Sequence, residues 1–93
     1  MTSARPSLKK NVTVVNELGL HARSAAMLAK AAQKAAGRVW VAKQDDCVDA
    51  KQVIDILTLA AAQGDQVSIT VELAADAEIL KTIVALFETG FGE

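Results

Sequence analysis

The residues best equipped for chemistry lie together in LGLHARSAAMLAKAA, residues 18 to 32, where His21, Arg23 and Ser24 fall within one helical turn. His21 is the only histidine in the chain, and imidazole is the side chain most readily used as a nucleophile or proton carrier near neutral pH. It stands where the exit of a first strand meets an alanine-rich helical run. At such a start the first four N–H groups lack helical acceptors, and the aligned peptide dipoles give the end a partial positive charge. An end of that kind binds anions without further machinery. If one ring nitrogen carried a phosphoryl group, its oxygens would reach the N–H groups of the first turn. Arg23 could add a charge-assisted contact, stronger than a neutral hydrogen bond. The site would take up a phosphoryl group and give it away again with no triad, base or metal. On position alone the plainer readings stay open: a lone histidine at a helix start is often a capping or surface residue, and an arginine there is usually solvated.

Composition removes other classes. Cys47 is the only cysteine, so no internal disulfide forms, and one His with one Cys falls short of a zinc set; no metal and no cofactor are expected. The net charge is −1, with Lys and Arg scattered singly and only three aromatic residues (Trp 1, Phe 2), which argues against nucleic acid. No apolar run approaches the roughly 18 residues of a membrane span. A free thiol and no signal-peptide pattern in MTSARPSLKK point to a reducing cytoplasm. Length sets one domain: residues 1–8, with Pro6 and two serines, read as a flexible leader, and residues 9–93 as a single folded unit.

The elements that must hold His21 follow from periodicity. KNVTVVN alternates around Val12 and Val14 as a half-buried strand. Ala22 to Ala36 reads as a helix with Ala25, Leu28, Ala29, Ala32 and Ala36 on its apolar side, closed by Gly37 as a left-handed terminal residue. RVWVAK and CVDA flank QDD as a hairpin over residues 38 to 50, with Cys47 half-buried and Trp40 on the open face beside Thr13 and Thr70. KQVIDILTLA is a short second helix of two to three turns. Ile56 and Leu59 serve its core, while Val53, Ile54 and Leu57 find no place there. QVSITVE is the clearest strand, with Val67, Ile69 and Val71 inward. Asp76 is a plausible N-cap for a last helix carrying Ile79, Leu80, Ile83, Val84, Leu86 and Phe87, closed by Gly90. Every strand has one polar face, so the order β-α-β-β-α-β-α predicts an α+β open-faced sandwich: a four-stranded, mostly antiparallel sheet with three helices on one face.

GLHARSAA at the first helix, DAK before the second, AAQGDQVSIT entering the last strand and the closing GFGE resemble the histidine-containing phosphocarrier (HPr) family of the bacterial phosphoenolpyruvate–sugar phosphotransferase system. The resemblance runs from about Asn11 to Glu93 without an internal gap. It implies that His21 accepts a phosphoryl group on Nδ1 from phosphorylated enzyme I and donates it to a IIA component. Arg23 would then be the phosphate-binding partner, with Ala22 and Ser24 completing the cradle. It also implies a docking surface of Ala22, Ala26 and Met27 with Val53, Ile54 and Leu57, rimmed by Arg23, Lys30 and Lys51, and a monomer that forms transient complexes. The same resemblance fits a regulatory paralogue of the nitrogen-related branch, used for signalling. A reading from another class, a ligand-binding or dimerising α+β module, would give His21 no role.

Two positions depart from the family pattern. Ser24 stands where the family normally has proline, and its hydroxyl is expected either to donate to the phosphoryl group or to cap the helix. Gln52 stands where many members carry a kinase-regulated serine, and an amide offers no hydroxyl to phosphorylate.

Overall fold

The computed structural model describes residues 7–93. Four strands, β1 (Leu8–Thr13), β2 (Val39–Lys43), β3 (Asp46–Asp49) and β4 (Gln66–Val71), and three α-helices, α1 (Ala22–Ala32), α2 (Val53–Thr58) and α3 (Ala77–Glu88), follow one another in the expected order. The sheet runs β1-β4-β2-β3 and every pairing is antiparallel. Residues 1–6 of the expected leader lie outside the described residues. Its last residue, Leu8, belongs to β1: it pairs with Val71 and packs against the core.

The strand alternation sorts residues as period two requires. Val12, Val39, Val41, Val67, Ile69 and Val71 are buried towards the helices. They meet Leu28, Ile56, Ile83 and Phe87, with Phe91 set edge-on to Phe87 at 4.9 Å between ring centroids. The opposite face is polar. Trp40 lies there across from Thr70, with Lys9 beyond, whereas Thr13 pairs with Gln66 at the far end of the sheet. The indole Nε1–H donates to Glu72 at 2.8 Å, and the Arg38 guanidinium stands 5.9 Å from the ring centroid. Cys47 is exposed rather than half-buried, because β3 is an edge strand and Cys47 alternates with the inward Val48.

Three local expectations change at the helix ends. Regular α1 stops at Ala32, after which Lys34 and Ala35 donate three residues back, so the chain tightens and buries Ala35 while Ala36 is exposed. Gly37 does not adopt a left-handed conformation. Glycine is needed there for room, since a Cβ would lie 2.6 Å from the side chain of Leu73. Asp76 makes no side-chain cap on α3; its carboxylate accepts the N–H groups of Ala36 and Gly37 at 2.9 and 2.8 Å instead. Helix α2 spans six residues, fewer than two turns, with Ile56 and Leu59 buried as anticipated.

Candidate functional site

The loop leaving β1 is folded tightly enough to fix where α1 begins. Asn16 Nδ2 donates to the Gly19 carbonyl at 2.8 Å, and the Gly19 N–H returns to the Asn16 carbonyl at 3.1 Å. Gly19 has φ of +67°, and a Cβ on it would stand 2.4 Å from the Ala61 carbonyl oxygen, so only glycine fits this approach. The Leu20 N–H then donates to that same carbonyl at 2.9 Å, and the Leu20 side chain is buried. The chain emerges with His21 in extended conformation at the N-cap of α1.

The His21 side chain is 31% exposed. Its carbonyl accepts the first helical hydrogen bond, from Ala25 at 2.8 Å. The N–H groups of Ala22, Arg23 and Ser24 belong to the first turn and have no carbonyl four residues back in the helix. That turn contains no acidic residue, so nothing in it offsets the positive end of the helix dipole. Ala22 and Arg23 are exposed.

Ser24 faces the other way. It is fully buried, and its Oγ donates to the Gly19 carbonyl at 2.9 Å and accepts the His21 N–H at 3.0 Å. Of the two roles anticipated for this hydroxyl, the geometry shows the one in which it braces the helix start. The hydroxyl is the returning half of a capping box.

Two residues that sequence reasoning missed complete the site. Glu93 lies against the ring, its carboxylate hydrogen-bonded to His21 Nε2, and its other oxygen accepts Asn16 Nδ2 at 3.0 Å. The hydrogen bond from Asn16 and then that from His21 hold the Glu93 carboxyl below its ordinary value, with the positive charge of Arg23 a smaller contribution and desolvation opposing. Seventy-two positions separate Glu93 from His21, and no periodicity links them.

The anticipated docking residues fall in two groups. Ala22, Ala26 and Lys30 are exposed along α1, and Met27 is half-buried between them. Helix α2 packs beside α1, with Val53 and Leu57 half-buried against the core and Ile54 72% exposed. Lys51, expected at the rim, is half-buried. Its ammonium donates to the Ala35 carbonyl at 3.2 Å, because the chain end of α1 leaves that oxygen unpaired. On the loop before His21, Val15 and Leu18 add exposed apolar surface that the sequence reading did not single out. Among the described residues no group of three His, Cys, Asp or Glu side chains stands close enough to hold a metal ion, and no helix is long and apolar enough to cross a membrane.

An antiparallel open-faced sandwich with an accessible histidine at the N-cap of its first helix defines a class of small α+β proteins built around one imidazole. Residues 8–89 match the family model described as the PTS HPr component phosphorylation site, and the chain belongs to that family. It is 34% identical over 86 residues to the phosphocarrier protein HPr of Neisseria meningitidis, covering 92% of this chain and 97% of the relative. It is equally 34% identical over 88 residues to the phosphocarrier protein NPr of Klebsiella oxytoca, with 94% and 98% covered. Among solved structures, HPr-C-His from Thermoanaerobacter tengcongensis superposes with a TM-score of 0.87 at 35% identity, covering 92% of this chain and 97% of that one.

Proposed function

We propose that this protein carries phosphoryl groups on His21, receiving them on Nδ1 from phosphorylated enzyme I and passing them to a IIA-type component. The observation that carries this reading is the part-exposed imidazole at the mouth of α1, beside a first turn that contains no acidic residue. A phosphoryl group on the ring would bring oxygens to the N–H groups of Ala22, Arg23 and Ser24, with the Arg23 guanidinium adding a charge-assisted contact. Ala22, Ala26 and Met27 with Val53, Ile54 and Leu57 form the docking surface for both partners, Lys30 lying at its edge. An apolar patch with a charged margin suits encounters that must be selective and short-lived. The protein works as a monomer in the cytoplasm, between successive protein histidines.

A second reading keeps the chemistry and changes its use. The percent identity to one NPr equals that to an HPr, which keeps a regulatory carrier as the alternative, although HPrs predominate among the relatives. The identity of the IIA component that accepts from the phosphorylated protein decides between them.

Incubation with phosphoenolpyruvate and enzyme I, followed by intact-mass measurement, tests the reading common to both. The wild type should gain one phosphoryl group and His21→Ala none. Labelling that persists in His21→Ala would overturn the assignment of the acceptor.

A further inference from the structure

We propose that Glu93, gripped by Asn16, is a positioning residue that keeps the Nε2 proton on His21 throughout phosphoryl transfer, so that the ring attacks and departs as neutral imidazole. This rests on the reading of His21 as the phosphoryl acceptor.

An ionised carboxylate only accepts hydrogen bonds, so the ring nitrogen facing Glu93 must be the one bearing the proton. That nitrogen is Nε2. Its proton fixes the tautomer, and the lone pair is left on Nδ1. A histidine free to exchange tautomers spends part of its time with Nδ1 protonated and unable to attack. The carboxylate removes that option.

Asn16 makes the carboxylate a fixed partner. Both hydrogens of its amide are used, one on Glu93 at 3.0 Å and one on the Gly19 carbonyl at 2.8 Å. Turning the amide over would point its oxygen at two acceptors. The present orientation leaves Asn16 Oδ1 buried without a hydrogen-bond partner, a cost that native structures seldom carry. The same side chain thus ties Glu93 to the turn from which His21 emerges.

The clasp suits each step of the transfer. On uptake, the Nδ1 lone pair forms the N–P bond while the bond from phosphorus to the donor's nitrogen breaks, and that electron pair returns to the donor ring. His21 now bears phosphorus on Nδ1 and hydrogen on Nε2, and the positive charge of the ring lies against the Glu93 carboxylate. On release, the N–P bond breaks and its electrons return to Nδ1, leaving neutral imidazole. Without the Nε2 proton the departing group would be imidazolate, a far poorer leaving group. No proton is transferred in either direction.

Nitrogen-15 NMR of the full chain reads the tautomer directly, before any phosphoryl donor is added. Neutral His21 in the wild type should be present only as the Nε2–H form, and Glu93→Ala should show a measurable Nδ1–H fraction. Transfer from the phosphorylated protein to its IIA acceptor should slow about tenfold in Glu93→Ala, with KM for the acceptor unchanged. Glu93→Gln, which keeps an acceptor oxygen and loses the charge, should fall between the two. An unchanged tautomer and unchanged transfer in a Glu93→Ala protein that is still phosphorylated would overturn the proposal alone. A wild type that is never phosphorylated would overturn the acceptor reading and the proposal with it.

Discussion

Past Ala32, α1 is closed by partners from elsewhere in the chain. The N–H groups of Ala36 and Gly37 are taken by the Asp76 carboxylate, the Ala35 carbonyl accepts the Lys51 ammonium, and Gln33 Nε2 donates to the Lys51 carbonyl at 2.9 Å. At Ala22 the same helix begins with a first turn that holds no acidic residue, under a part-exposed imidazole. The two ends differ in what they leave undone. Satisfying backbone groups with side chains stabilises a fold, whereas a terminus open to solvent can receive an anion. On the proposed function, α1 is fastened at one end and receives the phosphoryl group at the other.

The sharpest way to break this contrast is a pair of substitutions, one at each end. His21→Ala should abolish phosphoryl uptake while leaving Tm close to that of the wild type, because the ring is part-exposed and its hydrogen bond to Glu93 lies at the surface. Asp76→Ala should do the reverse. It strips the acceptor from two backbone donors, and Tm should fall by roughly 10 °C with uptake retained. Thermal melts and intact-mass labelling of both variants check this. A large Tm loss in His21→Ala, or lost uptake in a folded Asp76→Ala, would erase the division between the ends.

Acid separates the ends further. Hydrogen bonds from Ala36 and then Gly37 lower the Asp76 carboxyl pKa, with Lys51 adding a smaller favourable charge and desolvation opposing. A carboxylate whose folded pKa is depressed contributes stability above its unfolded value, and loses it as pH falls through the folded value. The Tm advantage of wild type over Asp76→Asn should therefore be full at neutral pH. It should shrink below the unfolded aspartate value of about 4. A constant difference down to strongly acid solution would show that Asp76 acts through packing alone.

Much of this architecture can be read from the residues, and what cannot has a common cause. Alternation placed Val12, Val67, Ile69 and Val71 inward, and three-four spacing placed Leu28, Leu80, Ile83 and Phe87, since burial along one element leaves a periodic mark. Of Val53, Ile54 and Leu57, read as residues without a place in the core, Ile54 is 72% exposed, whereas Val53 and Leu57 pack half-buried against it, because a helix of six residues lets neighbouring faces share one edge of the core. His21 was legible from its place at the strand exit. Asp76 misled because an aspartate before a helix satisfies the local rule for an N-cap, while its actual partners lie 39 and 40 residues away. Gly37 misled in the same manner: the local rule is a left-handed terminus, and the actual reason is the approach of Leu73. Glu93 was legible only as the end of GFGE, and nothing in the sequence joined it or Asn16 to His21. A contact made by one residue from each of two distant segments has no period to detect.

Gly37→Ala sharpens the closed end by a smaller amount. The added methyl would meet Leu73 Cγ at 2.6 Å, and Leu73 is a half-buried side chain with some freedom to turn aside. The expected cost is about 1–2 kcal/mol, read as a Tm decrease of roughly 5–10 °C. A neutral result would mean that Leu73 yields freely and that the two N–H bonds to Asp76 close this end without help from packing.

Ser24→Pro tests the open end with the least expected effect. The hydroxyl spans the Gly19 carbonyl and the His21 N–H, and both are lost as partners. The Gly19 carbonyl keeps Asn16 Nδ2. Against that loss, proline sits in the first helical turn, where its missing N–H removes no helical bond, and it lowers the entropy of the unfolded chain. The two contributions are of similar size, so Tm should move by no more than about 5 °C in either direction. Phosphohistidine half-life is read in Ser24→Ala, which keeps the Ser24 N–H in the proposed cradle; it should match the wild type, because the hydroxyl is buried against the loop rather than presented beside the ring. A clearly shorter half-life in Ser24→Ala would mean that the hydroxyl turns outward once the ring is loaded, and the inward brace at the start of α1 would then be a feature of the unloaded state only.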